Sequence, residues 1–198
     1  TAAAEALGGA FVPVGGPWYK RTPRRIDAIV EGVSVSIDHH EVSSGENSTT
    51  THTRARATAR APGDFTLKVY RAHGLSGLAR AVGFQDVEVG DPAFDRAYVV
   101  KSSDPSAACV WLNPTVREAI YGAPEFTFEI KAGRLDADRS KLLDEPAELV
   151  ALARATAAFS DGRQRVLQAW HAVASAHEGT VTPHADRWAT MEVAFEGV

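Results

Sequence analysis

Thr51-His52-Thr53-Arg54-Ala55-Arg56-Ala57-Thr58-Ala59-Arg60-Ala61 decides the fold. Side chains alternate between the two faces of a strand. This run therefore puts Ala55, Ala57, Ala59 and Ala61 on one face and Arg54, Arg56 and Arg60 on the other. The arginine face has to stay wet. The alanine face offers little area to bury, but it lets a second layer approach the backbone closely. A long strand from about Ser48 to Ala61, with a helix lying across it, is the expectation.

The same period of two runs outward from this strand. Ile26, Ala28 and Val30 alternate with Asp27 and Glu31, and Val33, Val35 and Ile37 alternate with Ser34, Ser36 and Asp38. Glu31-Gly32 between them reads as a tight hairpin turn. A polar connection at 43–47 leads into the long strand. Pro62-Gly63-Asp64 then turns the chain into a fourth, with Phe65, Leu67 and Val69 facing inward opposite Thr66, Lys68 and Tyr70. Four successive strands on short turns predict an antiparallel meander with one wet face.

The middle of the chain is punctuated by Pro and Gly. Residues 75–82 read as a short helix stopped by Gly83, and 84–89 as a brief strand. In Gly90-Asp91-Pro92-Ala93-Phe94-Asp95 the aspartates read as turn and bracing residues rather than paired catalytic carboxylates. Ser103 or Asp104 followed by Pro105, and Asn113 followed by Pro114, are cap-then-proline signals for two helices carrying Trp111, Leu112, Val116 and Ile120. Phe126, Phe128 and Ile130, a turn at Ala132-Gly133, and Leu135 predict a further hairpin. From Pro146 an apolar stripe at helical spacing passes Leu149, Leu152, Phe159, Val166 and Trp170 and keeps its phase to His177, which predicts one long helix kinked at Gly162. Ala189, Met191, Val193 and Phe195 alternate with polar residues and end the chain as a strand.

With 198 residues, 44% hydrophobic and 23% charged, the composition fits one core-bearing domain. The predicted class is α+β: an antiparallel meander sheet with one face covered by a long C-terminal helix and several short ones. Residues 1–23 form an N-terminal arm, 24–180 the domain, and 181–198 an extension ending in a strand. The net charge of -4 argues against nucleic acid as a partner. No run approaches the ~20 apolar residues of a membrane span, though peripheral membrane contact stays open. A single cysteine, Cys109, rules out an intrachain disulfide and fits a cytoplasmic setting; within an apolar helical run it reads as a buried, inert thiol.

Recognised catalytic patterns are missing. There is no G-x-S-x-G, no P-loop spacing around Gly74-Leu75-Ser76-Gly77, and no HExxH. Asn47-Ser48-Thr49 matches a glycosylation sequon that a polar hairpin tip supplies by chance. Asp38-His39-His40 is the best local metal-ligand run, but on a strand His39 points away from the other two. Cross-strand His52 extends the set to Asp38, His40 and His52 at most, short of the converging ligands of a firm site. The expectation is therefore no catalytic residues, no cofactor and no metal.

Two candidate surfaces remain. His40, His52, Arg54, Arg56, Lys68 and Tyr70 share the outer sheet face and could form a basic patch for a small anionic ligand or lipid headgroup. Phe11, Trp18, Tyr19, Trp188 and Phe195 are candidate docking anchors at the two ends of the chain. The leading expectation is a non-enzymatic accessory subunit that binds a protein partner or itself through these ends.

The run from Gly83 to Asp95, the segment Tyr98-Val99-Val100-Lys101-Ser102-Ser103-Asp104, and Trp111-Leu112-Asn113-Pro114 resemble a set of uncharacterised bacterial proteins, notably from myxobacteria. Thr51-His52-Thr53-Arg54 is similar to the same set. The likeness spans about residues 25–135. It marks a scaffold and implies no reaction, cofactor or catalytic residue.

Overall fold

The computed structural model describes residues 2–13, 15, 24–43, 48–62, 64–72, 86–183 and 189–192. The expected helix at 75–82, the start of the strand at 84–89, and Trp18, Tyr19, Trp188 and Phe195 lie outside them.

The chain is α+β, built on an eight-stranded antiparallel sheet. Its strands are β1 (Ala10–Val12), β2 (Arg25–Val30), β3 (Val33–Ser43), β4 (Thr49–Thr58), β5 (Leu67–Arg71), β6 (Tyr98–Ser102), β7 (Thr127–Lys131) and β8 (Arg134–Arg139). They lie in the order β1-β2-β3-β4-β8-β7-β5-β6. The predicted run of four neighbouring strands is broken after the third, because the β7–β8 hairpin sits between β4 and β5. Two features favour this order. Inward, Phe128, Ile130, Leu135 and Ala137 of the hairpin are fully buried and complete the apolar floor. Outward, its acidic residues are in register with cations, Asp138 with Arg54 and Asp136 with Arg56, and Glu129 opposite Lys68 closes an ion pair with it at 3.0 Å. Opposite charges across strands stabilise such pairings, whereas β4 beside β5 would have set arginines against lysine.

The alanine face behaves as expected. The helix α5 (Pro146–Ser160) packs across β3, β4 and β8, and beneath it Ala55 and Ala137 have 0% exposure. Phe159 of α5 stacks on Phe128 with ring centroids 5.2 Å apart. Beside α5, α3 (Pro105–Trp111) and α4 (Pro114–Gly122) seal the rest of the inner face with Trp111, Leu112, Val116 and Ile120. Both begin as their sequence signals require. Asp104 accepts the Ala107 N–H at 3.0 Å, Asn113 accepts the Val116 N–H at 3.0 Å, and a proline follows each cap.

The expected single long helix is two. α5 ends at Ser160, and α6 (Gly162–Ala176) starts after Asp161, which has φ -91 and ψ 16. Trp111 accounts for the break. Its indole Nε1–H donates to the Phe159 carbonyl at 2.7 Å, which an unbroken helix would pair with the N–H four residues on. The indole itself occupies the space where a Cβ on Gly162 would lie. One residue of interruption leaves the apolar stripe nearly in phase, so periodicity could not show the break.

The described residues near both ends of the chain pack within it. In the N-terminal arm, α1 (Ala2–Ala6) buries Ala3 and Ala4 against α5, and β1 pairs with β2 at the sheet edge. The terminal strand is not alone: β10 (Ala189–Glu192) pairs antiparallel with β9 (Thr180–Pro183). This ribbon is separate from the main sheet and packs on α6. No helix among the described residues is long and apolar enough to cross a membrane.

Candidate functional site

The outer face of the sheet at β3, β4 and β8 gathers the densest polar chemistry among the described residues. Asp38 lies at its centre with a side chain only 1% exposed. Arg54 donates to it from Nε and Nη2, both at 3.1 Å, and Arg56 Nη2 donates at 2.6 Å. Two guanidiniums thus lie over one carboxylate, replacing water with charge-assisted hydrogen bonds.

One step along the strands, His40 and His52 are cross-strand partners, with ring centroids 5.4 Å apart. Asp138 reaches both from β8. Its Oδ1 is 2.6 Å from His52 Nδ1 and its Oδ2 is 3.5 Å from His40 Nε2. Burial first, and Arg54 next, hold the His40 pKa below the ordinary imidazole value. His40 is therefore neutral near pH 7, and its ring carries a lone pair.

Of the six residues predicted as one basic patch, the structure brings four together. His40, His52, Arg54 and Arg56 cluster on β3 and β4. Lys68 and Tyr70 lie on β5, three strand steps from β4, or about 14 Å across the sheet. The cluster is not an uncompensated basic surface either. Arg54 and Arg56 are held by Asp38, His52 by Asp138, and Lys68 Nζ by Glu129 at 3.0 Å.

Asp138, Asp136 and Glu129 are what the sequence reading missed. The alternation of Arg134, Asp136 and Asp138 with Leu135 and Ala137 was a usable signal for a strand with an acidic outer face. It could not say which strand that face would join. In the Asp38-His39-His40 run, His39 does point away, and its Nε2 contacts the Leu143 carbonyl at 3.0 Å.

The other singled-out residues have structural roles. Asp91 caps α2 (Pro92–Ala97) by accepting from the Ala93 and Phe94 N–H groups, and Asp95 accepts the Val89 N–H at 2.9 Å. Cys109 is half-buried rather than buried, with its Sγ 3.5 Å from the Glu88 carbonyl. Phe11 lines a cavity of about 410 Å³ between α1, β1–β3 and the start of α5, whose apolar floor includes Ile26, Leu143 and Leu149.

No family model matches the chain, and no curated protein matches it. Among solved structures it is similar to the mycobacterial trehalose monomycolate transport factor A, TtfA, with a TM-score of 0.51 and 12% identity. The match covers 83% of this chain and 92% of that one. At this identity the likeness is one of fold: a large antiparallel sheet with helices.

Proposed function

We propose that this chain is a non-enzymatic interaction protein, an accessory subunit that meets its partner through the end formed by α6 and the β9–β10 ribbon. One observation carries this reading. Between His171 and Ala176 only Ala174 is buried, while Val173 of α6 and Met191 of β10 are 48% and 40% exposed. Exposed apolar side chains on two elements that pack together, α6 and β10, suit a docking surface. The N-terminal arm supports a smaller role than the sequence suggested, since its described part packs on its own domain.

Site-specific photo-crosslinking in the native host tests this. A crosslinker replacing Val173 should give one discrete adduct, and the same group replacing the exposed Ile29 on the sheet should give none. Adducts from Ile29 alone would move the interface to the sheet and overturn the reading.

The cavity beside Phe11 favours a second reading, a small-ligand binding module. Arg24 and Arg25 line it. Arg25 is held by Asp27 at 2.7 Å and Asp38 is taken up by Arg54 and Arg56, so Arg24 is the cation that would attract the acidic end of an amphiphile whose apolar part fills the floor. Displacement of a fluorescent fatty-acid probe, lost in an Arg24→Glu/Arg25→Glu variant, is the expected result. Failure of the wild-type chain to take up the probe would remove this reading.

A further inference from the structure

We infer that His40, His52 and Asp138 form a three-ligand site for a divalent transition-metal ion of the zinc class, with its remaining position open to solvent at the sheet surface. The inference does not depend on the docking reading.

Its first support is convergence. One ligand atom from each residue can be chosen so that all lie within 4.8 Å of one another. Two imidazoles and a carboxylate are a donor set that Zn²⁺ accepts. Metal–ligand bonds of about 2.0–2.1 Å in tetrahedral geometry place neighbouring donors about 3.3 Å apart. His40 Nε2 and Asp138 Oδ2 already stand at 3.5 Å. His52 Nδ1 lies 2.6 Å from the other oxygen of the same carboxylate, Oδ1, in a hydrogen bond that the metal would replace.

A second support is rigidity. The ligands come from three adjacent strands whose register is fixed on both sides of β4, so the site is assembled before any ion arrives. His40 turns Nε2 toward Asp138, so that is the ring nitrogen that would coordinate.

Charge is the third consideration. Arg54 would repel a cation, yet its guanidinium and that of Arg56 are turned onto Asp38. The Asp138 carboxylate instead contacts the two histidines. Asp38, offered by sequence as the third ligand, is thus taken up by the arginines, and Asp138 stands in its place.

The test uses the full chain, stripped with chelator and titrated with Zn²⁺ against a chromophoric competitor, then with Co²⁺. One equivalent should bind. His52→Ala and Asp138→Asn should each weaken binding by more than the ~10–100-fold typical of losing an outer-shell partner. His171→Ala, on the exposed side of α6, should bind as wild type and controls for adventitious histidine binding. Co²⁺ should also broaden the His52 ring resonances of the wild type while sparing those of His171, a readout that needs no substitution to fold. Absence of stoichiometric binding, or affinity unchanged by His52→Ala with His52 resonances unperturbed, would overturn the inference.

Discussion

At Gly162 the space that a side chain would need is already filled by the Trp111 indole. Gly162→Ala should therefore force the ring or the helix start to move, costing about 2 kcal/mol as overpacking, measurable by urea denaturation. Asp38 is a second sensitive residue. Asp38→Ala leaves two guanidiniums facing each other and should cost about 2 kcal/mol. That is below the ~3–5 kcal/mol of a fully buried pair, because Arg54 and Arg56 side chains keep 27% and 38% exposure. Asp91 gives the pH dependence. The Phe94 N–H chiefly holds its carboxyl below the ordinary aspartate value; desolvation opposes this, and the Ala93 N–H and Arg117 add to the lowering. A depressed folded pKa means stability that is present above the unfolded value and is lost as pH falls through the folded one. Asp91→Asn keeps a capping oxygen but loses the charge. Its melting temperature should fall less steeply than wild type as pH drops below about 4, and parallel curves would contradict this. The caps at Asp104 and Asn113 were legible because cap and N–H lie three residues apart. The Trp111 bond to Phe159 was not, because its partners are 48 residues apart.

Elements follow the same division between local and distant causes. The turns at Glu31-Gly32 and Ala132-Gly133 each place two successive residues at positive φ, 50° and 80° in the first and 50° and 71° in the second, as two-residue hairpins need. Sequence could place them because glycine supplies the second position. Strand order is another matter, since His52 and Asp138 are 86 residues apart and no local pattern ranks β8 above β5 as the neighbour of β4. Arg54, Arg56 and Lys68 of the outer face were legible as cations, and which acidic residues would meet them was not. The alanine face was legible in both respects, as it specifies a close layer whatever its neighbours are. Ala55→Leu tests that layer directly. With Ala55 at 0% exposure beneath α5, the larger side chain should lift the helix and cost about 1–3 kcal/mol, seen as a lowered urea midpoint with an unchanged slope.

Across the whole molecule the two ends differ in what they do for stability, although sequence presented them alike as docking arms. At the N-terminus, Ala3 and Ala4 are 2% and 3% exposed within the main core, and β1 covers the β2 edge. Removing residues 1–13 exposes that core and an unpaired strand, which invites self-association. At the other end, the ribbon adds no residue to the buried core among those described and packs on α6. Truncation after Gly179 should therefore leave the melting temperature within about 3 °C of wild type, corresponding to about 1 kcal/mol in a chain of this size. Removal of residues 1–13 should lower it by clearly more and broaden the light-scattering distribution. Calorimetry on the two truncations separates the outcomes. If the C-terminal truncation is the more destabilising, the ribbon is part of the folding unit, and partner loss on its removal would say nothing about docking. If the N-terminal truncation is, then loss of the photo-crosslinked adduct on C-terminal truncation reports an interface on a chain that is still folded.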